Sequence, residues 1–207
     1  MFFFIMATDS YKTIEKKSTG YFKDKGSKFY SFAYPLQAEN EVKEIIAALK
    51  KEHHSARHHC YAWQLGTETF RTRANDDGEP SSTAGKPILG QIQSYGVTNI
   101  LIVVVRYFGG TLLGVSGLIN AYRNAASDAL NNAEIIEKII ETRFEISFTY
   151  NELNSVMHIL KQENYTIEST DFKESCSLVF SVRKSETEKA KTIFKDLYKV
   201  RLAELNE

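Results

Sequence analysis

The stretch Ile100-Leu101-Ile102-Val103-Val104-Val105-Arg106-Tyr107-Phe108-Gly109-Gly110-Thr111-Leu112-Leu113-Gly114 decides how the longer part of the chain is built. Ile100 to Val105 is an unbroken apolar run rich in β-branched residues, and a strand without polar alternation has no face to offer to water. It is therefore expected as the central strand of a sheet covered on both sides. Glycines follow at 109, 110, 114 and 117, after which Leu118 to Ala133 reads as a helix with Ser116 as its N-cap. The unit is strand, glycine turn, helix.

That unit also carries the clearest chemical signal. Glycine permits positive φ and close backbone approach, so successive N–H groups of the turn, at the positive end of the helix, form a nest for an anion. Arg106 would add a bidentate contact, and phosphate is the expected ligand. The alternative is a turn whose glycines serve packing while Arg106 pairs with a carboxylate. The run is neither a P-loop nor a dinucleotide fingerprint, because no Gly-Lys-Ser/Thr follows and the glycine spacing differs.

Working outward, strands are expected at 11–18 and 27–36, joined by a polar turn holding Asp24 and Gly26. Glu39 to Glu52 places Val42, Ile45, Ile46 and Leu49 at helical spacing. His58 to Leu65 reads as a strand, Gly66 to Pro87 as a long loop, and Ile88 to Tyr95 as a short helix. The loop contains Asn75-Asp76-Asp77-Gly78-Glu79-Pro80-Ser81-Ser82-Thr83-Ala84-Gly85-Lys86-Pro87. Loops this long are often functional. It reads either as a solvated run of Asx turns or as a segment that points Asp77, Glu79 and Lys86 into a shared pocket.

His53, His54, His58 and His59 crowd one short stretch, and on a strand His58 and His59 face opposite ways. Metal binding through one histidine with Asp77 and Glu79 is the weaker reading, since three well-placed ligands are not visible. Neither a metal nor a cofactor is expected. A hydrolase can be sketched with Ser81, Ser82 or Thr83 as nucleophile, His59 as base and Asp77 as orienter, but no nucleophile elbow accompanies them.

After the helix the pattern changes near Ala133 to Ile140. The remainder gives a strand (Thr142 to Tyr150), a helix (Glu152 to Glu163), two strands (Tyr165 to Asp171, Ser177 to Arg183), a helix (Glu186 to Tyr198) and a final strand after Lys199. That βαββαβ order is ferredoxin-like. The expected fold class is α+β in two domains, 1–138 and 139–207, consistent with 207 residues exceeding the usual single-domain size of roughly 100 to 150.

Net charge is zero, with 16 basic and 14 acidic side chains in residues 1–138 and 10 and 12 in residues 139–207. Any RNA contact must then use a local patch. Cys60 and Cys176, in different expected domains, supply neither a disulfide framework nor a zinc cluster, which fits a reducing compartment. The apolar start, Met1 to Met6, is too short for a membrane span and lacks the marks of a secretory signal. Met6 is an alternative initiator, and a cytoplasmic location without membrane contact is expected.

Three sets of residues, taken together, resemble the IMPACT/YigZ family. They are His58-His59-Cys60-Tyr61-Ala62; Asp77-Gly78-Glu79-Pro80-Ser81 with Thr83-Ala84-Gly85-Lys86-Pro87; and Val103-Val104-Val105-Arg106-Tyr107-Phe108-Gly109-Gly110 with Leu113-Gly114. The match covers roughly residues 15 to 130, and the tail resembles the second domain of bacterial members. The resemblance implies a first domain with the β-α fold of elongation factor G domain IV and a second like another ferredoxin-like module of that factor. It also implies a role in translation, since eukaryotic members are translational regulators that bind an activator of the amino-acid-starvation kinase.

His58, His59, Asp77, Glu79, Thr83, Gly85, Arg106, Tyr107, Gly109, Gly110 and Gly114 match the family pattern and, with Lys86, form the expected ligand site. Lys28, Ser82 and Ser116 depart from it, standing where arginine, glycine and glycine are usual. No catalytic residue is assigned. The expected function is a translation-associated binding protein that engages RNA, the ribosome or another phosphate-bearing ligand. A protein partner in translation control and a peptidase-like hydrolase at His59, Asp77 and Glu79 are the rivals.

Overall fold

The computed structural model describes residues 9–172, 176–197 and 199–205; the Met1 to Met6 segment and Tyr198 lie outside them. The chain divides into two compact units, one of Tyr11–Lys138 and one of Ile139–Glu207 together with the residues before Tyr11. Each has its own core.

In the first unit, β1 (Ser10–Ile14) is followed by β2 (Ser18–Asp24) and β3 (Ser27–Pro35), a hairpin closed at Lys25 and Gly26. Then come α1 (Glu41–Glu52), β4 (His58–Leu65), β5 (Arg71–Asn75), α2 (Gly85–Ser94), β6 (Ile100–Tyr107), α3 (Gly114–Asn131) and β7 (Ile135–Ile139). An antiparallel sheet runs β2-β3-β6-β4-β5, and β1 and β7 form a separate two-stranded sheet. As the apolar run demands, β6 is the middle strand and Ile100 through Val105 are fully buried.

Strand alternation deals the side chains to two faces. Ile100, Ile102 and Val104 join Phe29, Cys60 and Ala62 beneath α2 and α3. Leu101, Val103 and Val105 join Phe32, Trp63 and Leu65 on the other face, where Val42 and Leu49 of α1 pack. The β2 edge is closed by α3: the Tyr21 N–H donates to the Asp128 carboxylate at 2.8 Å, and Asn132 Nδ2 donates to the Thr19 carbonyl at 3.0 Å.

Several expected boundaries need correction. The single strand at 11–18 is two strands broken at Glu15 to Lys17, because β1 leaves the main sheet to pair with β7. The long loop contains β5, whose Arg71 to Ala74 are all exposed; an edge strand held by its ladder to β4 has no apolar face for periodicity to reveal. Helix α3 starts at Gly114, so Ser116 lies in its first turn, and no side chain caps its N-terminus.

The second unit has β8 (Glu141–Phe148), α4 (Leu153–Gln162), β9 (Thr166–Phe172), β10 (Cys176–Arg183), α5 (Thr187–Lys195) and β11 (Arg201–Leu205). Its sheet, β11-β8-β10-β9, is antiparallel. Phe144, Phe180 and Phe194 fill the core against Val156 and Leu160.

Candidate functional site

The acidic loop meets the end of β6, and it does so through a buried ion pair. Glu79 Oε1 lies 2.6 Å from Arg106 Nη1, and both side chains are almost wholly enclosed. The Tyr122 hydroxyl, from the buried face of α3, donates to the same Oε1 at 2.7 Å. On the far side of the guanidinium, Nη2 reaches Ser27 Oγ at 3.5 Å, and that oxygen also accepts from the Gly109 N–H at 3.1 Å. The guanidinium carbon lies 5.5 Å from the Phe29 ring centre and 5.7 Å from that of Phe108. Arg106 thus has its charge answered inside the protein.

Gly109 belongs to the same junction by sterics. A Cβ there would fall 1.9 Å from the Gly26 carbonyl carbon, so only hydrogen fits between the turn and the hairpin. Beyond it, Gly110 and Gly114, at φ +87° and +72°, have open space where a Cβ would stand. The turn therefore presents its backbone outward. Exposed apolar side chains flank it: Phe108 at 53%, Leu112 at 82% and Val115 at 60%.

The loop is organised from within by Asp76. Its carboxylate accepts from the Gly85 and Ser82 N–H groups at 2.8 Å and from Ala84 at 3.0 Å, which caps the start of α2 from a distance. Burial pushes this carboxyl up, but the three N–H bonds and the Lys86 charge together outweigh it and hold it below its ordinary value. The Cys60 thiol donates to the Asp76 carbonyl at 3.0 Å and lies 3.3 Å from the Tyr122 hydroxyl oxygen. Burial pushes both the thiol and the Tyr122 hydroxyl far up, so each stays protonated.

Asp77 makes a second cluster. Its Oδ2 accepts the His59 N–H at 2.7 Å and lies 3.8 Å from His59 Nδ1, while Oδ1 faces Lys50 Nζ at 3.2 Å. His58 Nδ1 meets the Asp77 carbonyl oxygen at 2.9 Å. His59 is buried, and burial keeps its pKa below the ordinary value against the pull of Asp77; its Nε2 has no partner among the described residues. The Thr83 hydroxyl, also buried, donates to the Pro80 carbonyl at 2.7 Å. Tyr107 Oη lies 2.9 Å from His53 Nδ1, whereas Lys86 is exposed.

The expected residues therefore fall into groups. Glu79, Arg106 and Gly109 meet in one network; Asp77, His58 and His59 meet in another; Thr83 and Tyr107 are tied elsewhere; Lys86, Gly110 and Gly114 face outward. Sequence reasoning missed Tyr122, Ser27 and Lys50, and noted His53 in the histidine cluster without placing it in the site. Tyr122 did carry a signal, since it stands in the stripe Leu118, Ala121, Tyr122, Ala125, Ala126, Ala129, where a buried hydroxyl needs a partner. Among the described residues no group of three His, Cys, Asp or Glu is placed to hold a metal ion.

Two family models match the chain: the Impact N-terminal domain over residues 25–130 and a domain of unknown function over residues 146–197. IMPACT family member YvyE of Bacillus subtilis (strain 168) is 32% identical over 178 residues, covering 86% of this chain and 82% of the relative. IMPACT family member YigZ of Escherichia coli (strain K12) is 35% identical over 150 residues, covering 72% and 74%. A crystal structure of a hypothetical protein matches with a TM-score of 0.70 at 29% identity, over 96% of this chain and 98% of the other. No helix among the described residues is long and apolar enough to cross a membrane.

Proposed function

The chain belongs to the IMPACT family, and from that premise we propose a translation-associated regulatory protein that works by binding, its first unit engaging RNA through ligand phosphates. The observation that carries this reading is the glycine turn: exposed at Gly110 and Gly114, opening an 18-residue helix that no side chain caps, and held rigid from below by Glu79 and Arg106. Free N–H groups and the positive helix end favour an anion there. In this reading Arg106 positions the turn rather than touching the ligand. The Thr83 hydroxyl, spent on the Pro80 carbonyl, makes a poor nucleophile, which weighs against the hydrolase. The likeness to domains of elongation factor G belongs to the same proposal, supported in the second unit by the sheet order β11-β8-β10-β9.

Co-sedimentation with ribosomes tests it. Gly110→Asp sets a negative charge in the turn, and Gly110→Asn carries the same strain of a side chain at φ +87° without the charge; the Asp variant should associate at least about tenfold more weakly than the Asn variant, by loss of roughly 1.4 kcal/mol or more. Equal association of the two variants would remove the turn from the account. A second reading is favoured by Phe108, Leu112 and Val115: an exposed apolar rim of this kind suits a protein partner. Partners retained after nuclease treatment and lost in Leu112→Asp would select it.

A further inference from the structure

On the face of the sheet that carries α1, the helix packs toward β4 and β6 and its C-terminal His53 stacks on Tyr30 at 6.0 Å between ring centres, so that β2, with Tyr21 and Lys23, and Lys28 at the turn end of β3 are left exposed. The cross-strand register sets the side chains there in rows: Lys23 opposite Lys28, with Tyr107 next across, and Tyr21 opposite Tyr30. The rings form a continuous surface. Tyr21 and Tyr30 are 5.1 Å apart between centres, and Tyr30 meets the edge of Tyr107 at 5.8 Å. Tyr21 is 44% exposed. Further along β3, Lys17 Nζ lies 5.1 Å from the Phe32 ring centre and 4.9 Å from that of Tyr34.

Three lysines surround these rings. Lys17, Lys23 and Lys28 are exposed, and none makes an ion pair among the described residues. Lys23 and Lys28 stand directly opposite each other, an arrangement that costs stability in a sheet when no anion answers it. The acid beside the rings, Asp128, already accepts the Tyr21 N–H, and it lines a groove of about 410 Å³ with Thr19, Tyr21, Tyr30, Phe32 and Asn132.

We propose that this exposed margin of β2 and β3 is a stacking platform for single-stranded RNA, with a base on Tyr21, whose ring is backed by Tyr30 and His53, and phosphates held by Lys17, Lys23 and Lys28. An aromatic sheet surface accepts any base, because every base has a π-face, and interleaved lysines track the backbone between stacked bases. A duplex hides its bases and cannot use the rings. This rests on the RNA-binding reading above, names the form of RNA, and gives it a surface distinct from the glycine turn.

Fluorescence anisotropy with a labelled 12-nucleotide oligouridylate and a duplex RNA of equal length tests it, with thermal melts confirming that each variant is folded. The wild type should prefer the single strand, and Tyr21→Leu should weaken binding roughly tenfold. Lys23→Gln with Lys28→Gln should lower the logarithmic salt slope by about 1.4, two single-strand phosphates at about 0.7 each. Preference for the duplex, or binding unaltered by these substitutions, overturns the platform. If ribosome association is then still lost in Gly110→Asp, the broader reading stands without it. If the wild type binds neither oligonucleotide nor ribosome, both fall, and a nuclease-resistant protein partner lost in Tyr21→Leu assigns the face to protein instead.

Discussion

Ser82 adopts φ +65°, a left-handed conformation that an L side chain holds at a cost of about 1–2 kcal/mol and glycine holds freely. The conformation is imposed because the Ser82 N–H must reach the Asp76 carboxylate. Glycine is the residue best suited to such a position, and Ser82 holds the turn without it. Ser82→Gly is expected to stabilise the protein by about 0.5 kcal/mol, the relief of strain being offset in part by the added freedom of the unfolded chain. Urea denaturation reads this directly, and a loss of stability would mean that the serine hydroxyl contributes.

At the scale of elements, Glu79 and Arg106 weld the acidic loop to β6, and Tyr122 adds α3 to the joint. Removing one partner of such a pair leaves a buried charge, so Arg106→Ala should cost about 3–5 kcal/mol. The double replacement Arg106→Met with Glu79→Gln should cost less than the sum of the single changes, with coupling of about 0.5–3 kcal/mol in a denaturant cycle. Strictly additive costs would mean that the pair contributes nothing as a pair. The strand-turn-helix core was legible because Ile100 to Val105 leaves no alternative to a buried strand. Residues that meet across the fold were not: no spacing links Ser27 to Gly109 or Glu79 to Tyr122, and β5 has no apolar side to announce it.

For the whole molecule, two separate cores mean that damage can be confined to one unit. Phe180 is fully buried among Phe144, Tyr165 and Phe194 in the second unit. Phe180→Ala should cost that unit about 3–5 kcal/mol, yet leave ribosome association at the wild-type level at temperatures where the variant is folded. Association lost in step with this core would place part of the contact in the second unit. The sealed edge of β2 has a consequence for assembly as well. With α3 side chains holding the Tyr21 N–H and the Thr19 carbonyl, that margin is a poor template for a strand from another molecule, and the opposite margin, β5, is guarded by Arg71 and Arg73. Both margins of the sheet thus resist growth, which disfavours fibre-like polymerisation along its edges.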